Sequence, residues 1–166
     1  MTEFEELALK KIAKYFLIDS VYARLNTLLG RFGISNAEIS QKVGWDSAGF
    51  NQKYNRSNDL RITTFIKIYV ALTDLIAAKE AELGCAGMSL MRVELTDLIT
   101  AEEIAVGSLF NHISAAAEGR VSFLEKESYV RTYNRMGSFV FLGKNSKRFS
   151  EREIGVYMSY YKAINE

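Results

Sequence analysis

The sequence predicts a mainly α-helical fold, and three observations carry that prediction. Apolar residues recur at helical spacing through most of the chain, beginning with Phe4, Leu7, Ala8 and Ile12. Proline is absent from all 166 residues, so glycine, asparagine and serine are left to punctuate long helices. Three pairs, Ser35 with Glu38, Thr100 with Glu103 and Ser150 with Glu153, have the spacing of capping boxes. The expected organisation is a helical domain over 1–83, a hinge around Gly84 to Gly87, and a smaller region over 88–166. That second region is expected to be mostly helical, with room for a short β-hairpin.

The first stripe runs on through Phe16 and Leu17. A second helix is expected from about Asp19 to Arg31, with Val21, Leu25, Leu28 and Leu29 on one face and Gly33 as its stop. Ser35 and Glu38 then open a short helix, Asn36 to Val43, which Gly44 ends in a left-handed turn. Asp46 can cap the next helix, Ser47 to about Asn55, and Arg56 to Arg61 form a polar loop. Thr63 to Leu75 follow as an apolar helix with Phe65, Ile66, Ile68, Tyr69 and Leu72 directed inward. Beyond the hinge, Thr100 to Glu118 should form a helix with Val106, Leu109, Phe110, Ile113 and Ala117 on one side, closed by Gly119. SYVRTYN and SFVFLG have the aromatic and β-branched content of strands, whereas VSFLEKESYVRTYNRM also reads as an amphipathic helix. Ser150 opens the last helix, whose stripe is Ile154, Tyr157, Met158, Tyr161 and Ile164.

Composition bounds the function without naming it. The chain is 48% apolar and 12% aromatic, enough for a packed core and against wholesale disorder. Its net charge of +1 does not declare a polyanionic partner, but the charge is unevenly distributed. Six acids face Arg92 alone between Ala81 and Gly119, while eight basic residues face three acids between Arg120 and Arg152. Local rather than total positive potential is what a nucleic-acid binder needs. Cys85 is the only cysteine, which excludes an internal disulfide and a cysteine-based zinc site. MTEFEELALKKIAKYF lacks the apolar core of a signal peptide, and no apolar run approaches the ~18 residues of a membrane span. A cytoplasmic location is expected.

The most informative stretch is Gly33 to Leu72. Two short helices around Gly44 and Trp45 must cross steeply, with Ala37, Ile39, Val43 and Phe50 as the expected shared contacts. The second helix would then present Ser47, Ala48, Asn51, Gln52 and Asn55, which are small or amide-bearing. Small residues permit close approach to a groove, and amides can pair with base edges, adenine above all. The helix N-termini at Ser35 and Asp46 offer amides to phosphates.

At these residues the chain resembles the phage-repressor and Cro-type helix-turn-helix family, also called the XRE type. GISNAEISQKVG carries that family's glycine, apolar residue, Ser/Thr, polar pair, apolar residue and closing glycine. Phe50 falls at the central apolar position of the recognition helix, and Ile62, Phe65, Ile66, Ile68, Ala71 and Leu72 fall on the next helix without a gap. The resemblance covers about Val21 to Leu75 and implies a five-helix repressor-like DNA-binding domain. It implies that Asn36 contacts phosphate and braces the recognition helix, and that Ser47 and Ala48 read bases. It places Asn51 and Gln52 in the exposed middle of that helix and Asn55 at a phosphate-contacting position. Lys53 replaces a frequent apolar residue and Arg56 the usual terminal glycine, and both can add phosphate contacts. Ser47 is shorter than the glutamine often found there.

Other chemistry is sparsely represented. His112 is the single histidine, with no partner at metal-ligand spacing. Glu102 and Glu103 are adjacent and face different ways on a helix, so they read as partners of its dipole. Ala86–Gly87 lies where some repressors of this broad kind are cut by their own serine–lysine peptidase, yet no nucleophile–lysine pair accompanies it. No enzyme activity, metal or cofactor is expected. GKNSKRFSER (Gly143 to Arg152), with Arg131 and Arg135, is either a second DNA-contacting surface or a solvated loop. The expected function is sequence-specific binding of double-stranded DNA by a homodimeric transcriptional regulator. The competing expectation is an antitoxin-like or adaptor module whose helices do not read DNA.

Overall fold

A computed structural model of the chain describes residues 1–50, 61–85, 93–100, 119–120, 123–141 and 147–166. Six helices lie among them, α1 (Glu3–Phe32), α2 (Asn36–Val43), α3 (Ile62–Glu82), α4 (Leu95–Leu98), α5 (Phe123–Val140) and α6 (Glu151–Asn165). No strand occurs among the described residues. No helix there is long and apolar enough to cross a membrane. The mainly α class is therefore observed.

Helix α1 corrects the sequence reading, because the two expected helices are one of 30 residues. Nothing between Leu17 and Asp19 stops it: Ile18 is buried, and no glycine or proline intervenes. At its start Thr2 and Glu5 satisfy each other's amides, at 2.7 and 3.3 Å. At its end Gly33 takes a left-handed φ of 62°, and the amides of Gly33 and Ile34 return to the carbonyls of Gly30 and Leu29. That is a Schellman closure, for which a residue without a Cβ is favoured.

The chain divides into two compact units, residues 18–99 and residues 1–17 with 100–166. This division follows packing rather than a cut at the expected 83/88 hinge. In the first unit α2 packs on α3, and the core takes Val21, Leu25, Leu28 and Leu29 from α1 with Ile39, Phe50, Phe65, Ile68, Leu72 and Ile76. Helix α3 runs well beyond the expected Leu75 before Gly84 and Cys85 close it on Ala81 and Glu80. Ile66 was expected inside and is instead 51% exposed. The helical period places it on the outer face with Ile62 and Val70, four residues to either side.

The second unit is built from the first half of α1, α5 and α6. Leu9, Ile12, Ala13 and Phe16 meet Tyr133, Met136, Phe139 and Val140 of α5, Phe149, and Tyr157 and Ile164 of α6. Of the segments SYVRTYN and SFVFLG, where a β-hairpin was allowed, the residues through Val140 are helical, and Leu142 and Gly143 lie outside the described residues. The helical period brings Tyr133, Met136 and Val140 to one buried face, a packing gain that overrides their strand propensity. Tyr133 and Tyr157 stack at 4.5 Å and 7°, and each hydroxyl donates to the other's backbone carbonyl. Burial pushes both phenols far above their ordinary range. The capping box expected at Ser150 and Glu153 is formed. The helix expected over Thr100 to Glu118 and its residues His112, Glu102 and Glu103 lie outside the described residues, apart from Thr100. Gly119, its expected stop, has a φ of 70°.

Candidate nucleic-acid interface

The candidate site begins at the N-terminus of α2. Ser35 Oγ accepts from the Glu38 amide at 3.1 Å, and Glu38 Oε2 accepts from the Ser35 amide at 2.7 Å. That backbone hydrogen bond holds the Glu38 carboxyl below the usual range. Two of the amides expected to face phosphate are thereby occupied, and those of Asn36 and Ala37 stay at the exposed end of the helix. Asn36 itself is exposed, as its expected role requires.

The turn after α2 is governed by one residue the sequence reading passed over. Ser40 is fully buried. Its carbonyl receives the Trp45 amide at 2.8 Å, and its hydroxyl receives the Phe50 amide at 2.9 Å. Gly44 makes the reversal with a φ of 86°. Ser40 therefore ties both ends of the segment between α2 and Phe50, while Phe50 packs beside Tyr22 with ring centroids 6.1 Å apart. The available signal was a polar residue next to Ile39 on the inward face of a short helix. Ala37 was expected among the shared contacts and is exposed in the first turn of α2, on the opposite side from Ile39.

Gly49 is the second residue passed over. A Cβ there would lie 2.6 Å from the Cβ of Trp45, closer than side chains pack, so the segment folds back only over a glycine. Ser47 and Ala48 are in a turn rather than in a helix, and helix begins at Gly49. The Gly49 amide closes that turn on the Asp46 carbonyl at 2.9 Å. Both Ser47 and Ala48 are exposed. Asn51, Gln52, Lys53, Asn55 and Arg56 lie outside the described residues. Asn36, Ser47 and Ala48 are thus the expected site residues that can be located, all on the surface.

The chain matches no protein-family model, no curated protein and no solved structure. The likeness to repressor-type proteins rests on the residues of the Gly33 to Leu72 stretch alone.

Electrostatics around α2 are balanced. Lys42 pairs with Asp74 at 3.2 Å and Lys79 lies 3.8 Å from Glu38, so both lysines are partly matched within this unit. In the other unit, three of the basic residues considered as a second DNA surface lie on aromatic rings. Arg152 is 3.9 Å from the centre of Phe4, Arg148 5.1 Å from Tyr15 and Arg135 5.9 Å from Phe16. These cation–π contacts give them a packing role. Gly143 to Ser146 of that stretch lie outside the described residues, as do Ala86 and Gly87. Among the described residues no three His, Cys, Asp or Glu side chains gather at a metal-binding distance.

Proposed function

We propose that this chain is a sequence-specific double-stranded DNA-binding transcriptional regulator of the phage-repressor type, acting as a homodimer. The observation that carries the reading is the Ser40 clamp. It fixes Trp45 and Phe50 against the end of a short capped helix, and Phe50 falls where the repressor-type family has the central apolar residue of its recognition helix. Asn36, Ser47 and Ala48 then form the described edge of the DNA surface, with Asn51, Gln52, Lys53, Asn55 and Arg56 continuing it. Phosphate contacts supply most of the affinity, and side chains in the groove supply the discrimination. Two copies would read half-sites one helical turn apart.

Selection of bound duplexes from a random pool tests this directly. An enriched palindrome is the expected result, with affinity falling steeply from low to moderate salt. Unchanged duplex binding after Asn55→Ala with Arg56→Ala would reject the reading.

A second reading has an observation of its own. Ile62, Ile66 and Val70 expose 71%, 51% and 50% of their surface along one face of α3, and the lysines around α2 are paired. An adaptor or antitoxin-like module would use such an apolar face and would need no positive potential. Absence of any salt-dependent duplex affinity would favour it.

A further inference from the structure

The groove between α5 and α6 holds an open cavity of about 300 Å³, at the lower end of the size range of small-molecule sites. Asn134, Gly137 and Ser138 of α5 line it with Phe141, and Met158 and Tyr161 of α6 complete it. We propose that this cavity binds a small, neutral aromatic molecule carrying one hydrogen-bonding group. The proposal is independent of the nucleic-acid reading.

Its walls are pre-set. The Tyr161 ring stacks on Tyr133 at 6.5 Å and lies 6.2 Å from Tyr157, so the aromatic ladder of the core fixes it. Asn134 and Asn165 exchange side-chain hydrogen bonds at 3.4 and 3.2 Å. Asn165 also donates to the Tyr161 carbonyl at 2.8 Å, which ties that end of the groove to α6. Gly137 contributes backbone to the lining. Phe141 leaves 58% of its surface exposed at the rim, an apolar ring that an occupant would cover.

The lining chemistry selects the occupant. Phe141 and Tyr161 offer ring surfaces and Met158 a polarisable thioether, all of which favour an aromatic guest over a saturated one. Ser138, Tyr161 and Asn134 supply groups that donate or accept hydrogen bonds. Among the described residues no lining side chain carries a charge, so an ionised guest would lose hydration without a counter-charge from them in return. The volume suits one ring or two fused rings.

The test uses the full chain and 5-fluoroindole, followed by fluorine NMR. Saturable binding below about 1 mM is expected, as small ligands in open sites bind weakly. Phenol should compete, whereas benzoate and cyclohexanol should not. Ser138→Leu fills the cavity from an exposed position and should weaken binding at least tenfold without lowering the melting temperature. Phe141→Ala should weaken it severalfold. No saturable binding by the unaltered chain overturns the proposal, as does binding that both substitutions leave unchanged. Equal competition by benzoate overturns the assignment of a neutral guest.

Discussion

Ser40 shows how one buried hydroxyl orders a segment that apolar packing alone would leave under-determined. Removing it leaves the Phe50 amide buried without its acceptor, which costs about 1–3 kcal/mol. Ser40→Ala should lower stability by that amount in urea denaturation. An unchanged unfolding midpoint would show that the hydroxyl does not hold the turn. Gly137 makes a sharper case, because two principles oppose each other there. Alanine in place of a mid-helix glycine normally stabilises by about 1 kcal/mol. Here the new Cβ would lie 2.8 Å from the Tyr157 hydroxyl, which is buried and bound to the Tyr133 carbonyl. Overpacking of that kind costs about 1–3 kcal/mol, so Gly137→Ala should destabilise. In a Tyr157→Phe background the clash is relieved, and the same substitution should become neutral or favourable. A double-mutant cycle on thermal unfolding measures this directly.

At the scale of elements, capping decides where helices begin and charge decides how one start responds to pH. Ser150 and Glu153 form a reciprocal box at 3.2 and 2.7 Å. Ser150→Ala should therefore cost about 1 kcal/mol. Glu153 also accepts from Lys11 of α1 at 2.9 Å. Burial raises the carboxyl's pKa, but the Lys11 ammonium and the Ser150 amide outweigh it and leave the value lowered. A carboxyl lowered in the folded state stabilises above its unfolded value, about 4.3. That contribution is lost as the pH falls through the lower folded value. Melting temperature should accordingly drop on acidification below about pH 4.3, and Lys11→Met should flatten the drop. A profile of the same steepness in Lys11→Met would assign the acid sensitivity to other groups.

At the scale of the whole molecule, one of the two packed units is not a contiguous stretch of chain. The C-terminal unit takes Leu9, Ile12, Ala13 and Phe16 from α1 into its core, although more than a hundred residues of sequence separate them from α5 and α6. Residues 88–166 expressed alone should show low helicity by circular dichroism and no cooperative unfolding. Joining residues 1–17 to that fragment through a flexible linker should restore both. A cooperative transition in the isolated fragment would mean that α5 and α6 are sufficient for a core.

Much of this was legible in the residues themselves. Local rules act over four or five positions, so the boxes at Ser35 and Ser150 and the left-handed stops at Gly33 and Gly44 appear where the spacing placed them. The stripe of α6 was equally readable, because a helix buries the face that its period defines. What the sequence by itself determined is therefore the helical class, the capped ends at Gly33, Ser35, Gly44 and Ser150, and the surface positions of Asn36, Ser47 and Ala48. Tertiary structure alone decided the continuity of α1, the helix in place of a hairpin at α5, the outward placing of Ile66, and the roles of Ser40, Gly49 and Gly137. Each of these depends on atoms distant in sequence or across a turn, whose approach no local pattern encodes. Burial supplies the energy that selects among locally acceptable conformations, and burial is a property of the assembled fold.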